Sequence, residues 1–99
     1  MVVKSIASSP VEGFWYLYII ETDGGRLYTG ITTDVERRFK QHIEGRGAKF
    51  FRTDAPKKIR YQAQFVDRSA ASREEFRIKK LARIKKLELI EKSAITLSL

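Results

Sequence analysis

The chain has 99 residues, which suits one small domain with a modest core. It contains no cysteine, so disulfides, zinc–thiolate clusters and a cysteine nucleophile are excluded. Lysine and arginine number 20 against 12 acids, a net charge of +8, with residues 1–33 at −1, residues 34–62 at +5 and residues 63–99 at +4. Such a surplus suits a polyanion such as DNA, RNA or an anionic membrane surface, and a protein that is merely basic is the competing explanation. No apolar run of transmembrane length and no apolar signal core is present, so a soluble, cytoplasmic protein is expected.

Residues 1–13 are small and polar, with Pro10 and Gly13, and read as a flexible tail. Phe14 to Ile20 is rich in aromatic and β-branched residues and apolar on both faces, which predicts a central strand. The Thr22-Asp23-Gly24-Gly25 turn leads into Leu27 to Ile31, the returning strand of a β-hairpin. Thr33 or Asp34 can cap a helix that runs to about Glu44 and stops at Gly45, with an apolar ridge of Val35, Phe39 and Ile43. A basic loop over 45–57 precedes a half-buried strand in which Ile59, Tyr61, Ala63 and Phe65 alternate with polar residues. Ser69 is the expected cap of a second helix, buried through Ala71, Ile78, Leu81 and Ala82. Leu87, Leu89 and Ile90 predict a further helical segment. The outline is ββαβα plus a C-terminal helix, an α+β domain over 14–92 with a tail over 93–99.

Several residues could carry chemistry. Tyr18 and Tyr28 fall on paired strands and could sit nearly opposite each other, either as packed core rings or at a site. Gly30 inside a strand marks a close approach, to a ligand phosphate or to the next helix. Arg38 and His42 lie one turn apart on the border of the first helix's buried face. Arg38 suits bidentate phosphate binding; His42 is open between a packed, hydrogen-bonded histidine at the rim of the core and a proton-transfer group. Glu74 and Glu75 both fall near the buried side of the second helix, and periodicity does not choose between a metal-binding carboxylate and an ordinary first-turn acid. The 45–52 loop combines Arg46, Lys49 and Arg52 with Phe50 and Phe51, a mixture suited to phosphate contacts and base stacking unless the rings fold inward.

Taken together, WYLYIIETDGGRLYTGITTDVERRFKQH, GRGAKFFR and SREEFRIKKL resemble the GIY-YIG nuclease family, in particular its small stand-alone bacterial members of the UPF0213 type. The likeness spans Trp15 to Leu81, with the first motif at Tyr16-Leu17-Tyr18 and the second at Tyr28-Thr29-Gly30. It implies a GIY-YIG-like fold, a three-stranded antiparallel sheet flanked by helices. It also implies metal-dependent hydrolysis of DNA or RNA, with a nucleic-acid-binding module of little or no activity as the alternative. Tyr18, Tyr28, Arg38, His42 and Glu75 would be catalytic, Glu75 holding Mg2+ or Mn2+, its place marked by Ala71 four residues before. Gly30, Arg46, Lys49 and Arg52 would meet the nucleic acid. Two departures are visible: Tyr16 stands where the motif usually has glycine, and the chain lacks the asparagine that many family nucleases carry after the glutamate helix.

Overall fold

In the computed structural model, which describes residues 13–98 with side chains as far as Ser93, three strands and three helices follow the expected order. They are β1 (Trp15–Thr22), β2 (Leu27–Thr32), α1 (Val35–Ile43), β3 (Pro56–Phe65), α2 (Arg68–Lys79) and α3 (Arg83–Ser98), with a 3-10 turn at Lys49–Arg52 before β3. The tail expected over 1–13 lies outside the described residues apart from Gly13. Helix α3 runs through Ser98, past the expected domain end at 92. Among the described residues no helix is long and apolar enough to cross a membrane.

The sheet is antiparallel in the order β2-β1-β3, so the strand that is apolar on both faces is the central one. Its alternate residues build two cores. Tyr16, Tyr18 and Ile20 face Val35 of α1 and Phe51 of the 3-10 turn. Leu17 and Ile19 face Ile78 of α2 and Ile90 of α3 on the other side. Each fully buried aliphatic side chain there contributes roughly 1.5–3 kcal/mol.

The β1–β2 turn needs Gly25, whose φ of 86° lies in the left-handed region that glycine tolerates. Asp54 fastens this turn to the loop before β3, accepting from Thr22 Oγ1 at 2.6 Å, Gly24 N at 2.8 Å and Arg26 Nε at 2.9 Å. Those donors, Thr22 and then Arg26 foremost, hold the Asp54 carboxyl below its ordinary range.

The structure corrects four details. A bulge inserts Arg60 between the β1 partners Tyr61 and Ile59. Ile59 therefore joins Ile20 on the aromatic face, while Tyr61 and Phe65 stay on the aliphatic one. In α1, Ile43 is 57% exposed and His42 only 2%, because the imidazole finds two hydrogen-bond partners inside whereas Ile43 is the helix's last residue. The cap of α2 is Asp67, which accepts from Ala70 N at 2.9 Å; Ser69 lies within the first turn and accepts from Arg73. Ala82 lies beyond the end of α2 and is exposed, although Ala71 and Ile78 are buried as expected.

Candidate active site

Strand register decides how the two tyrosines meet. Tyr18 stands opposite Gly30, and Tyr28 opposite Ile20, so the rings are diagonal neighbours, not opposite ones, with centroids 6.3 Å apart. The Tyr18 ring lies across Gly30, where an added Cβ would fall 2.6 Å from Tyr18 Cζ. That is the close approach the glycine marked, and it is made by the chain's own tyrosine. Because β2 is an edge strand, the ring crosses towards the edge of the sheet.

His42 closes the cluster from α1. Its Nε2 is 3.0 Å from the Tyr18 hydroxyl, and its ring meets Tyr28 edge-on at 5.6 Å. On the other side, the Ala48 backbone N–H donates to Nδ1 at 3.1 Å. Burial first, and then the Arg38 charge, push the His42 pKa down to about 4, so the ring is neutral. An amide can only donate, so Nδ1 accepts and Nε2 carries the proton. The imidazole therefore donates to Tyr18 and does not take its proton. Gly47 makes this possible: a Cβ there would fall 2.8 Å from His42 Cε1.

The Tyr18 hydroxyl is a neutral phenol in this setting. Burial, chiefly, and Tyr28 raise its pKa; the Arg38 guanidinium opposes them; the Glu75 carboxylate adds a small upward push. Arg38 and Glu75 thus lie within electrostatic reach of one hydroxyl, although they come from α1 and α2. Arg38 is held by donating to Gln41 Oε1 at 2.9 Å. The two adjacent glutamates separate here. Glu74 pairs with Arg77 at 2.5 Å and acts on Tyr61 of the aliphatic face, whereas Glu75 pairs with Lys79 at 3.1 Å and acts on Tyr18.

Five sequence-predicted residues, Tyr18, Tyr28, Arg38, His42 and Glu75, are therefore gathered in one neighbourhood. The loop residues behave differently. Phe51 is buried, its ring tilted against His42 at 4.5 Å and edge-on to Tyr28 at 4.8 Å, and Phe50 packs on Tyr28 at 5.2 Å with the Arg26 guanidinium over its ring, so these rings line the core and are not free to stack on bases. Arg46 pairs with Glu44, while Lys49 and Arg52 are exposed. The Ala48 amide, Gly47 and Asp54 were missed. A glycine five residues after a histidine and a lone acid in a basic loop were the only signals.

As for a metal, no group of three or more histidine or acidic side chains gathers among the described residues. The oxygen donor of Glu75 nevertheless fits Mg2+, which is commonly held by one or two carboxylates with water and substrate phosphate completing the shell. Glu75's partner, Lys79, is half-exposed on an i, i+4 spacing worth a few tenths of a kcal/mol, and so is easily displaced.

Known proteins agree with this architecture. Residues 14–88 match the GIY-YIG catalytic domain. The chain is 48% identical over 80 residues to the UPF0213 protein YhbQ of an Escherichia coli O139:H28 strain, covering 81% of this chain and 80% of that one. It is 46% identical over 81 residues to YhbQ of an O1:K1 strain, covering 82% and 81%. The solution NMR structure of a UPF0213 protein from Bacillus halodurans superposes with a TM-score of 0.52 at 41% identity, covering 79% of this chain and 83% of that one. The chain belongs to the GIY-YIG family.

Proposed function

We propose that the protein is a metal-dependent endonuclease that hydrolyses phosphodiester bonds of DNA or RNA. The observation that carries this reading is the Tyr18 hydroxyl, which takes a hydrogen bond from His42 and lies within electrostatic reach of Arg38 and Glu75. Family membership and the net charge of +8 point to the same polyanionic substrate.

In this reading Arg38 supplies a fixed cation for the scissile phosphate, where its planar fork suits two phosphate oxygens. Glu75 would hold Mg2+ or Mn2+, and such an ion would supply polarisation of the phosphoryl oxygens. The His42 N–H fixes the orientation of the Tyr18 oxygen. Tyr18, or Tyr28 beside it, hydrogen-bonds the attacking water. A phenol held as high as that of Tyr18 activates water only after nearby cations bring its pKa down.

The test is a cleavage panel of single-stranded, duplex and branched DNA and RNA, with and without Mg2+ or Mn2+, comparing wild type with Glu75→Ala. Metal-dependent cleavage lost in Glu75→Ala, with binding retained, supports the reading. Salt-sensitive binding with no cleavage under any metal replaces it with a nucleic-acid-binding module.

A further inference from the structure

The nucleic-acid contacts expected from the sequence are Gly30 and the cations of the 45–52 loop, yet the densest positive charge lies elsewhere. Residues 77–86 contain six cations (Arg77, Lys79, Lys80, Arg83, Lys85 and Lys86) and no acid. They form the end of α2, the turn after it and the first turn of α3. The corner is fixed from within: Leu81 N donates to Ile78 O at 3.0 Å, Lys85 N donates to Ala82 O at 3.0 Å, and Ile78 is fully buried against β1.

The cations at this corner are not equivalent. Arg77 pairs closely with Glu74, and Lys85 lies 3.5 Å from Glu88. Lys80 and Arg83 are exposed and form no ion pair among the described residues. Lys80 Nζ sits 4.1 Å above the ring of Phe76, itself 64% exposed, which holds that ammonium at the surface. Lys79 lies where the corner adjoins the site, its ammonium 3.1 Å from the Glu75 carboxylate.

We infer that this α2–α3 corner, through Lys80 and Arg83 with Lys79 between them and the site, is the surface that grips the phosphate backbone of the nucleic acid beside the bond to be cut. The inference rests on the nucleic-acid reading above. A backbone fixed at the corner, with the Lys80 ammonium held over Phe76, suits the task because a group that is already placed loses less freedom when a phosphate arrives. Each phosphate they neutralise releases counterions, so the corner contributes directly to the salt dependence of binding.

The experiment measures affinity for a generic duplex and a generic single strand across a salt series without added metal. It compares wild type, Lys80→Gln/Arg83→Gln, the charge-conserving Lys80→Arg/Arg83→Lys, and Arg46→Gln/Lys49→Gln/Arg52→Gln. Removing the two corner charges should weaken binding roughly tenfold or more at moderate salt and flatten the log–log salt slope by about 2. The charge-conserving pair should leave the slope unchanged, and the loop variant should move it less than the corner variant. A wild-type protein that binds, with a slope untouched by the corner variant or moved more by the loop variant, overturns this inference alone. A wild-type protein with no affinity for either polymer at low salt overturns it together with the nucleic-acid reading.

Discussion

One strand builds both cores of this molecule, and the two are chemically unlike. Below β1, Leu17, Ile19, Ile78 and Ile90 make an aliphatic core. Above it, Tyr16, Tyr18, Tyr28, His42 and Phe51 make a core of rings that carry hydroxyls and an imidazole. The aliphatic side is held by non-directional burial, in which shape is the main constraint. On the aromatic side the polar atoms of the rings are held by partners at set distances, as in the chain from the Ala48 amide through His42 to Tyr18. The division of labour is stability below and fixed hydrogen-bond geometry above. It predicts that mutations on the two sides trade stability against activity in opposite proportions.

The largest effect on stability should come from the aliphatic side. Ile78→Ala removes a fully buried side chain of that core and should cost about 2–5 kcal/mol in urea unfolding, with cleavage per folded molecule little changed. Tyr18→Phe keeps the ring and strands the His42 Nε2–H, for about 1–3 kcal/mol. Its cleavage rate should fall at least about 100-fold. Equal stability losses in the two variants, or an active Tyr18→Phe, would remove the distinction.

Next in size is a pH effect confined to the aromatic side. The folded His42 pKa is about 4 against an ordinary 6.5. Between those values the unfolded chain binds a proton that the folded one excludes. Stability is therefore complete above about pH 6.5, falls as the pH drops towards 4, and stops falling on this account below it. The loss over that window is roughly 3 kcal/mol. Glu21, Asp54 and Glu74 are held below their ordinary values, so their contributions are intact through most of this window and are lost from its acid end downwards. Unfolding midpoints across pH 4–7 should thus slope in the wild type and flatten in His42→Gln; a His42→Gln profile parallel to wild type would place the proton elsewhere.

These two sides were not equally legible in the sequence. The aliphatic core followed from β1 being apolar on both faces and from the spacing of Ala71 and Ile78, because burial alone selects those positions. The aromatic core was legible as a set of residues but not as a geometry. The diagonal meeting of Tyr18 and Tyr28 depends on hairpin register, and the bulge that turns Ile59 onto their face left no mark in the alternation. His42 was open between a packed, hydrogen-bonded histidine and a proton-transfer group; its surroundings match the first, a buried ring whose Nε2–H donates to Tyr18 and whose tautomer is fixed by the Ala48 amide. A backbone amide has no sequence signature, which is why that partner was missed. Glu75 and Glu74 were inseparable by periodicity, and are separated by which tyrosine each carboxylate acts on.

A smaller, more local effect tests whether the ring over Gly30 is an essential contact. Gly30→Ala puts a Cβ against the Tyr18 phenol and should cost about 1–3 kcal/mol through forced repacking. The displaced ring should leave His42, which Tyr18 and His42 chemical shifts would report alongside the loss of cleavage. A Gly30→Ala protein with wild-type shifts would mean that β2 gives way instead of the ring.

The smallest effect concerns how the polar side is anchored. Asp54 joins the hairpin turn to the loop that carries Ala48 and Phe51, so it braces the seat of His42 without touching it. Its carboxyl is held low by Thr22, Arg26 and Gly24. Its stabilisation is therefore present above the ordinary carboxylate range and lost as the pH falls through the folded value. Asp54→Asn keeps the shape and weakens these bonds, so global stability should change little while amide exchange quickens at Gly24 and, through the loop, at Ala48. Quicker exchange at Gly24 with no change at Ala48 would mean that Phe51 packing alone holds the loop beneath His42. The aromatic core would then depend on apolar contact for its polar geometry, much as the aliphatic core does for its stability.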